Sequence, residues 1–365
     1  MGRTRKAPPS VPPAVLVTGA AGSVGHFLVK HLAKGGFRVI ALDLPGADFP
    51  RIRGGKVRVI KGDITAPGII EEAVMGVKAV IHAAAVVDIG ATWDELAPVN
   101  YFATTKLYDA AREAGVEHFV FFSTGSVYKG GPQYQDEGSP TATANDYVRT
   151  KLMAEKYLRT SSGPTTVNII RPALIYGPWG KVLAGALATV PYMLRLFTDH
   201  MVTLTGGPIS NWVHAEDAAR AAVFLVGNPQ PHGQVFNVAN DDPVSVGDMF
   251  SIALRAGGVA LHEPRIPFPA ALVRAFKPLI AHDLVLNPVN RVTSALFGLA
   301  ARKAGLTSPL TPRLDKEALD FAVRNMLFDN RLLKGLGFEY RYPRFEDGWL
   351  ATQDWYQRNH WVPAA

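Results

Sequence analysis

The 365-residue chain has no cysteine. Disulfides, thiolate nucleophiles and cysteine-ligated zinc are therefore excluded, and no other metal site is expected. No run of about 18 uncharged apolar residues occurs, so no membrane-spanning helix is expected. Residues 1–13 are basic and proline-rich without an apolar stretch, and they read as a flexible arm and not a secretory signal. Gly2 is followed by Lys6 where a myristoylation motif needs Ser or Thr. No basic–aromatic stripe is present, which argues against a nucleic-acid partner. No internal repeat is seen.

Acid is also scarce. Asp and Glu number 31 against 38 Lys and Arg, a net charge of +7. Much of the excess lies in Arg3, Arg5 and Lys6 and between Arg265 and Arg313. Solubility explains such a balance, and so does contact with anionic lipid. Hydrophobic residues make up 48% of the chain, enough for the core of one large domain or two smaller ones.

The most telling stretch is Val15-Leu16-Val17-Thr18-Gly19-Ala20-Ala21-Gly22-Ser23-Val24-Gly25. An apolar run breaks into glycines and reopens as an amphipathic helix. The first glycine permits a tight turn, the second lets backbone approach a pyrophosphate, and the third lets helix pack on strand. The diphosphate then meets free N–H groups at the helix start. Gly19, Ala21, Gly22, Ser23, Val24 and Gly25 are the candidate contacts.

Strand and helix signals alternate beyond this loop. Strands are expected at 14–18, 37–42, 57–61, 79–82, 118–123 and 166–171, and helices at 22–33, 93–114 and 147–158. This alternation predicts an α/β fold with a Rossmann-type doubly wound parallel sheet. Residues 14–175 would form the dinucleotide-binding domain and 176–365 a smaller substrate-binding region. Short strands at 202–205 and 235–238 are expected to return to the sheet, and a helix is expected at 214–226.

Several residues at strand ends suit particular chemistry. Asp43 can accept hydrogen bonds from both adenosine-ribose hydroxyls and repel a 2′-phosphate, although Arg51 and Arg53 stand nearby. Asp63, with Ile64 beside it, suits either an adenine contact or a turn. Ala83, Ala84 and Ala85 allow backbone to approach a cofactor, while His82 reads as packing. Tyr147 and Lys151 are four apart and share a helix face. An ammonium beside the phenol favours the phenolate, so Tyr147 can exchange a proton with an alcohol or carbonyl oxygen. Ser123, Thr124 and Ser126 close the fifth strand, and Thr124 is preferred as the hydroxyl that orients the reacting oxygen.

Together these motifs resemble the extended short-chain dehydrogenase/reductase family over about residues 14–240. Thr18 to Gly25 fits its T-G-x-x-G-x-x-G loop, and Tyr147/Lys151 its Y-x-x-x-K pair. Thr124 falls four residues before Tyr128, as in the motif that carries the catalytic hydroxyl. The resemblance implies NAD as cofactor. It implies that Asn100, in Asn100-Tyr101-Phe102-Ala103-Thr104, supports a proton-relay water and the cofactor site. It also implies nicotinamide contacts from Pro172, Ala173 and Ile175. Candidate substrate contacts are Val87, Thr124, Gly125, Ser126, Tyr147, Leu174 and Trp212.

Residues 328–338 with Gly348-Trp349 resemble 3β-hydroxysteroid dehydrogenase and sterol-4α-carboxylate 3-dehydrogenase members. The implied reaction is oxidation of a 3β-hydroxyl on a sterol-like ring, with loss of CO₂ where a 4-carboxylate is present. Alternatives are reduction of long-chain 2-alkyl-3-oxo acids or another apolar ketone, nucleotide-sugar epimerisation or dehydration, and NAD sensing without catalysis. The last predicts loss of the Tyr/Lys pair, which is intact. The apolar, proline-broken segment 264–305 has three uses: core, substrate pocket, or an interfacial helix with Arg274, Lys277 and Arg291 at lipid headgroups. The expectation is a cytoplasmic homodimer acting on a small apolar molecule, with a membrane surface as a further contact.

Overall fold

The structure is a computed structural model that describes residues 13–49, 56–131, 133–181, 183–312, 319 and 322–364. Most of the expected basic arm, together with Arg51, Arg53 and Arg313, lies outside the described residues.

Six strands follow one another through the first half. They are β1 (Ala14–Thr18), β2 (Arg38–Asp43), β3 (Val57–Lys61), β4 (Ala79–His82), β5 (His118–Phe122) and β6 (Thr166–Pro172). A seventh, Gln234–Val238, returns from the second half to pair with β6. The sheet order is Gln234–Val238, β6, β5, β4, β1, β2, β3, and every pairing is parallel. β1, β4 and β5 are buried along their whole length. Runs of Val, Leu, Ile and Phe meet that demand, because a parallel sheet is covered on both faces. Successive side chains feed opposite layers. Val15 and Val17 pack with Phe27 and Leu28, while Leu16 packs with Leu107 and Tyr108. Strand order reverses between β1 and β4, opening a crevice at their carboxyl ends.

Two expectations need correction. The strand His200–Thr205 does not enter the main sheet, because its partner is Ala260–Pro267 in a separate two-stranded ribbon. The expected helix over 93–114 is interrupted by a π-helical turn, Pro98–Ala103. Proline has no N–H for the α-helical ladder, and the wider turn carries Asn100 inward. A third core cluster, rich in aromatics, lies in the second half and includes Tyr176, Trp212, Phe297, Phe345, Trp349 and Tyr356. Among the described residues, no helix is long and apolar enough to cross a membrane.

Candidate active site

Two cavities open over the carboxyl ends of the strands. One, of about 690 Å³, extends from the glycine loop to β2 and β3, and the other, of about 410 Å³, extends to the Tyr147/Lys151 helix. Gly19, Gly22, Ala83, Ala85, Trp179 and Lys181 line both.

The glycine loop fits a dinucleotide. Gly19 has φ +70°, and a Cβ there would lie 2.8 Å from the Ala83 carbonyl carbon. A Cβ on Gly25 would stand 2.0 Å from the Gly19 carbonyl oxygen, so only glycine lets the helix Ser23–Lys34 start this close. Its N-cap, Gly22, makes no side-chain cap, which leaves the first amides for an anion. Ala21, Asp43, Asp63, Ile64 and Ala84 line the first cavity. Asp43 Oδ2 accepts the Ala21 N–H at 2.8 Å, and Oδ1 accepts that of Leu44 at 2.8 Å. Its remaining lone pairs can still take ribose hydroxyls. Asp63 Oδ1 accepts both the N–H and the hydroxyl of Thr65, a turn contact made from the cavity wall where the adenine contact is also expected.

His82 holds the shared floor. Thr104 Oγ1 donates to the Asn100 carbonyl at 2.9 Å, so it accepts from His82 Nε2 at 2.8 Å. His82 Nδ1 then accepts from the Thr18 hydroxyl at 2.6 Å, and Thr18 in turn accepts the Ala84 N–H at 3.2 Å. Full burial lowers the imidazole pKa to about 3, helped by the Lys151 charge. The ring stays neutral and acts as a spacer. Asn100 works similarly. Its amide pairs with both backbone groups of Val86, at 2.8 and 2.9 Å, and Nδ2 lies 3.4 Å from Thr150 Oγ1. Asn100 lines neither cavity, and its place as a direct cofactor contact gives way to one behind the wall.

The second cavity gathers the chemistry. Tyr147 and Lys151 lie one turn apart on the helix Asp146–Thr160, whose N-cap Asn145 accepts the Val148 N–H at 2.9 Å. Lys151 Nζ donates to the Phe122 carbonyl at 2.9 Å and lies 4.9 Å from the Phe121 ring centroid. Burial lowers its pKa to about 8, against an opposing pull from Glu155. Glu155 accepts from Arg171 Nε at 3.0 Å and Nη2 at 2.6 Å, and from the Ser123 hydroxyl. Ser123 also lines this cavity, but its hydroxyl proton is committed to Glu155. Thr124 and Ser126 are on the wall, and Thr124 Oγ1 accepts the Ser126 N–H at 3.1 Å, a bond that leaves the threonine proton to donate.

Ser23, Val24, Gly25, Val87 and Gly125 also line this cavity, as do Pro172, Ala173, Leu174 and Ile175. A Cβ on Gly125 would meet the Phe328 ring at 2.8 Å. Trp212 does not reach the wall. It is buried against Tyr176 and Phe345, because its strand Trp212–His214 pairs with Leu174–Tyr176 and turns the indole into the aromatic core. Among the described residues, none of 264–305 lines either cavity, so the segment is not seen as a pocket wall.

The sequence reading missed several lining residues. Trp179 takes φ +63° and stacks on His26 at 4.1 Å over the seam between the cavities. Lys181 brings a cation to the same seam. Ser23 Oγ donates to the Pro178 carbonyl at 2.7 Å and ties this loop to the glycine loop. Met326 and Phe328 close the second cavity, and Trp361 edges the first. Only Trp179 and Lys181 had a usable signal, an aromatic and a cation just after the Ile175 strand.

The model of the NAD dependent epimerase/dehydratase family matches residues 15–239. The chain belongs to this family. Its cofactor is accordingly NAD, and it is an oxidoreductase acting on CH–OH groups. A relative from Mycolicibacterium neoaurum, 3-beta-hydroxysteroid dehydrogenase, is 30% identical over 69% of this chain and 72% of its own. UDP-glucose 4-epimerase of Mycolicibacterium smegmatis is also 30% identical, over 69% of this chain and 86% of its own. In fold, the chain is similar to the Bordetella bronchiseptica enzyme WbmG solved with NAD, with TM-score 0.69, 21% identity and 98% of each chain covered.

Proposed function

We propose that this family member oxidises a secondary alcohol on a bulky apolar ring, sterol-like, at its 3β-hydroxyl. The observation that carries the reading is the wall of the second cavity. Val24, Val87, Leu174, Leu183, Met326 and Phe328 supply apolar surface around Tyr147 and Thr124. Among the described residues, no arginine lines either cavity. The arginines that a sugar-nucleotide diphosphate would need are committed elsewhere. Arg220 pairs with Asp217, Arg255 with Glu346 and Arg265 with Glu263. The two relatives at 30% identity do not separate sterol from sugar nucleotide, whereas the wall chemistry favours the former.

The first cavity would hold the adenosine and diphosphate, with Asp43 on the ribose and the glycine-loop amides on the phosphates. Bound NAD supplies the hydride acceptor. Tyr147 takes the proton from the alcohol oxygen as general base, and Thr124 donates a hydrogen bond that fixes that oxygen. The Lys151 ammonium favours the phenolate by charge. A 4-carboxylate on the substrate would leave a β-keto acid able to lose CO₂.

The test is a substrate panel with NADH formation and binding as readouts. A 3β-hydroxysterol should be turned over and UDP-glucose should not bind. Micromolar UDP-glucose binding without sterol turnover would replace this reading with the epimerase one. Turnover of 2-alkyl-3-hydroxy acids alone would move it to the apolar-ketone reductases.

A further inference from the structure

The helices Ala270–Ile280 and Asp283–Lys303 form an outlying pair, and the first buries none of its residues. Ala271, Leu272, Ala275, Phe276 and Leu279 are all exposed. Their spacing of i, i+1, i+4, i+5 and i+8 makes one continuous stripe. Leu272, Phe276 and Leu279 are 61%, 55% and 60% exposed, and Leu284, at the start of the second helix, is 80% exposed. Val292 and Leu299 extend the apolar surface along that helix. The pair is held to the body from its other side, where Leu286, Phe297, Ala300 and Ala301 are buried and Arg274 donates to the Val323 carbonyl at 3.0 Å.

Charge says what covers the stripe. Segment 264–305 carries Arg265, Arg274, Lys277, Arg291, Arg302 and Lys303 against a single acid, Asp283. Glu263 pairs with Arg265 just outside it. A second copy packed through a twofold axis would set this basic face against itself. An anionic lipid surface instead neutralises it, and the acyl boundary accepts the stripe. The first helix has 11 residues, about 16 Å of length against the roughly 30 Å of a bilayer core, so it can lie in the interface but not span it.

We propose that these two helices seat this protein on anionic bilayers, with the Leu272/Phe276/Leu279 stripe in the headgroup–acyl boundary and the exposed Arg291, Arg302 and Lys303 at the phosphates. The inference stands apart from the substrate reading, since among the described residues neither helix lines the two cavities of the site.

The experiment is flotation of the full chain with phosphatidylcholine vesicles, with and without phosphatidylglycerol. Binding should be at least about tenfold stronger to the anionic vesicles and should weaken with salt. L272D/F276D should lower it at least about tenfold with NAD affinity and solution mass unchanged. R291E/K303E should weaken anionic binding without touching the stripe. No vesicle binding by the unaltered chain overturns the proposal. A halved solution mass in L272D/F276D also overturns it, by giving the stripe to a second copy. Should L272D/F276D lose NAD affinity, R291E/K303E decides: unchanged vesicle binding refutes the proposal, and weakened binding supports it.

Discussion

The two cavities share a floor and differ in how their walls are made. The cofactor cavity is built mainly from backbone and small side chains at the ends of β1 to β4, where Gly19, Gly22 and Ala83 to Ala85 admit a ligand by what they lack. The reaction cavity is built from side chains that meet from distant parts of the chain: Tyr147 and Lys151 on one helix, Leu174 past β6, and Met326 and Phe328 near the C-terminal end. A wall of backbone tolerates change in sequence except where, as at Gly19 and Gly25, no Cβ fits. A wall of side chains is re-cut by each substitution. The cofactor is therefore a property of the family, and the substrate a property of the individual member.

Tyr147→Phe should give the largest effect on this contrast. Turnover should fall about 10²–10⁴-fold with NAD affinity within about twofold of normal. Steady-state kinetics beside calorimetric NAD titration measures both. A parallel loss of NAD affinity would show that the cavities are not separable.

Glu155→Ala should rank next. It leaves the Arg171 guanidinium buried without its carboxylate, and breaking a buried pair in this way costs about 3–5 kcal/mol. Arg171 also donates to the Tyr128 hydroxyl at 3.0 Å, and Tyr128 donates to Asn237 on the returning strand at 2.7 Å. Urea unfolding should show the loss. A change under about 1 kcal/mol would mean that the reaction side is not held by this pair.

Acid should act on the shared floor. The folded-state pKa of His82 is about 3 against an ordinary 6.5. Above 6.5 the ring is neutral whether folded or unfolded, and stability is unaffected. Between 6.5 and 3 only the unfolded chain takes the proton, so stability falls with falling pH by up to about 1.4 kcal/mol per unit. His214, also held near 3 by burial, acts in the same direction. Unfolding midpoints at pH 7, 6 and 5 should decline in step, and a flat series contradicts the assignment.

Asp43→Ala should have the smallest effect. It should narrow the preference for NAD over NADP by about tenfold and leave the substrate KM unchanged. Tighter NADP binding by the unaltered protein would remove Asp43 from its ribose role.

Much of the sheet and of the cofactor cavity was legible because each contact sits where an apolar run stops. Thr18-Gly19, Asp43, Asp63 and Ala83 all end or follow strands, and short-range patterning locates strand ends. Thr124 was separable from Ser123 only by its place in a motif, and the structure adds a reason, since Ser123 is spent on Glu155. The misplacement of Trp212 has the opposite cause. Its neighbours resemble a site, but pairing with Leu174–Tyr176 decides which way the indole points, and no local pattern carries that. Trp361, Met326 and Phe328 were illegible for the same reason. Leu272 and Phe276 were legible as apolar but not as exposed, because exposure depends on what fails to pack above them.

The far wall of the reaction cavity has a consequence for the order in which this enzyme comes into being. Met326 is held by its N–H to the Ile209 carbonyl, and Phe328 by its N–H to Asn211 Oδ1, at 3.0 and 2.9 Å. A ribosome delivers the strands of the cofactor floor early and this wall late, and chains fold from the end that emerges first. Met326 and Phe328 therefore emerge after every other residue described on the two walls except Trp361, so the reaction cavity is closed only when nearly the whole chain has been made.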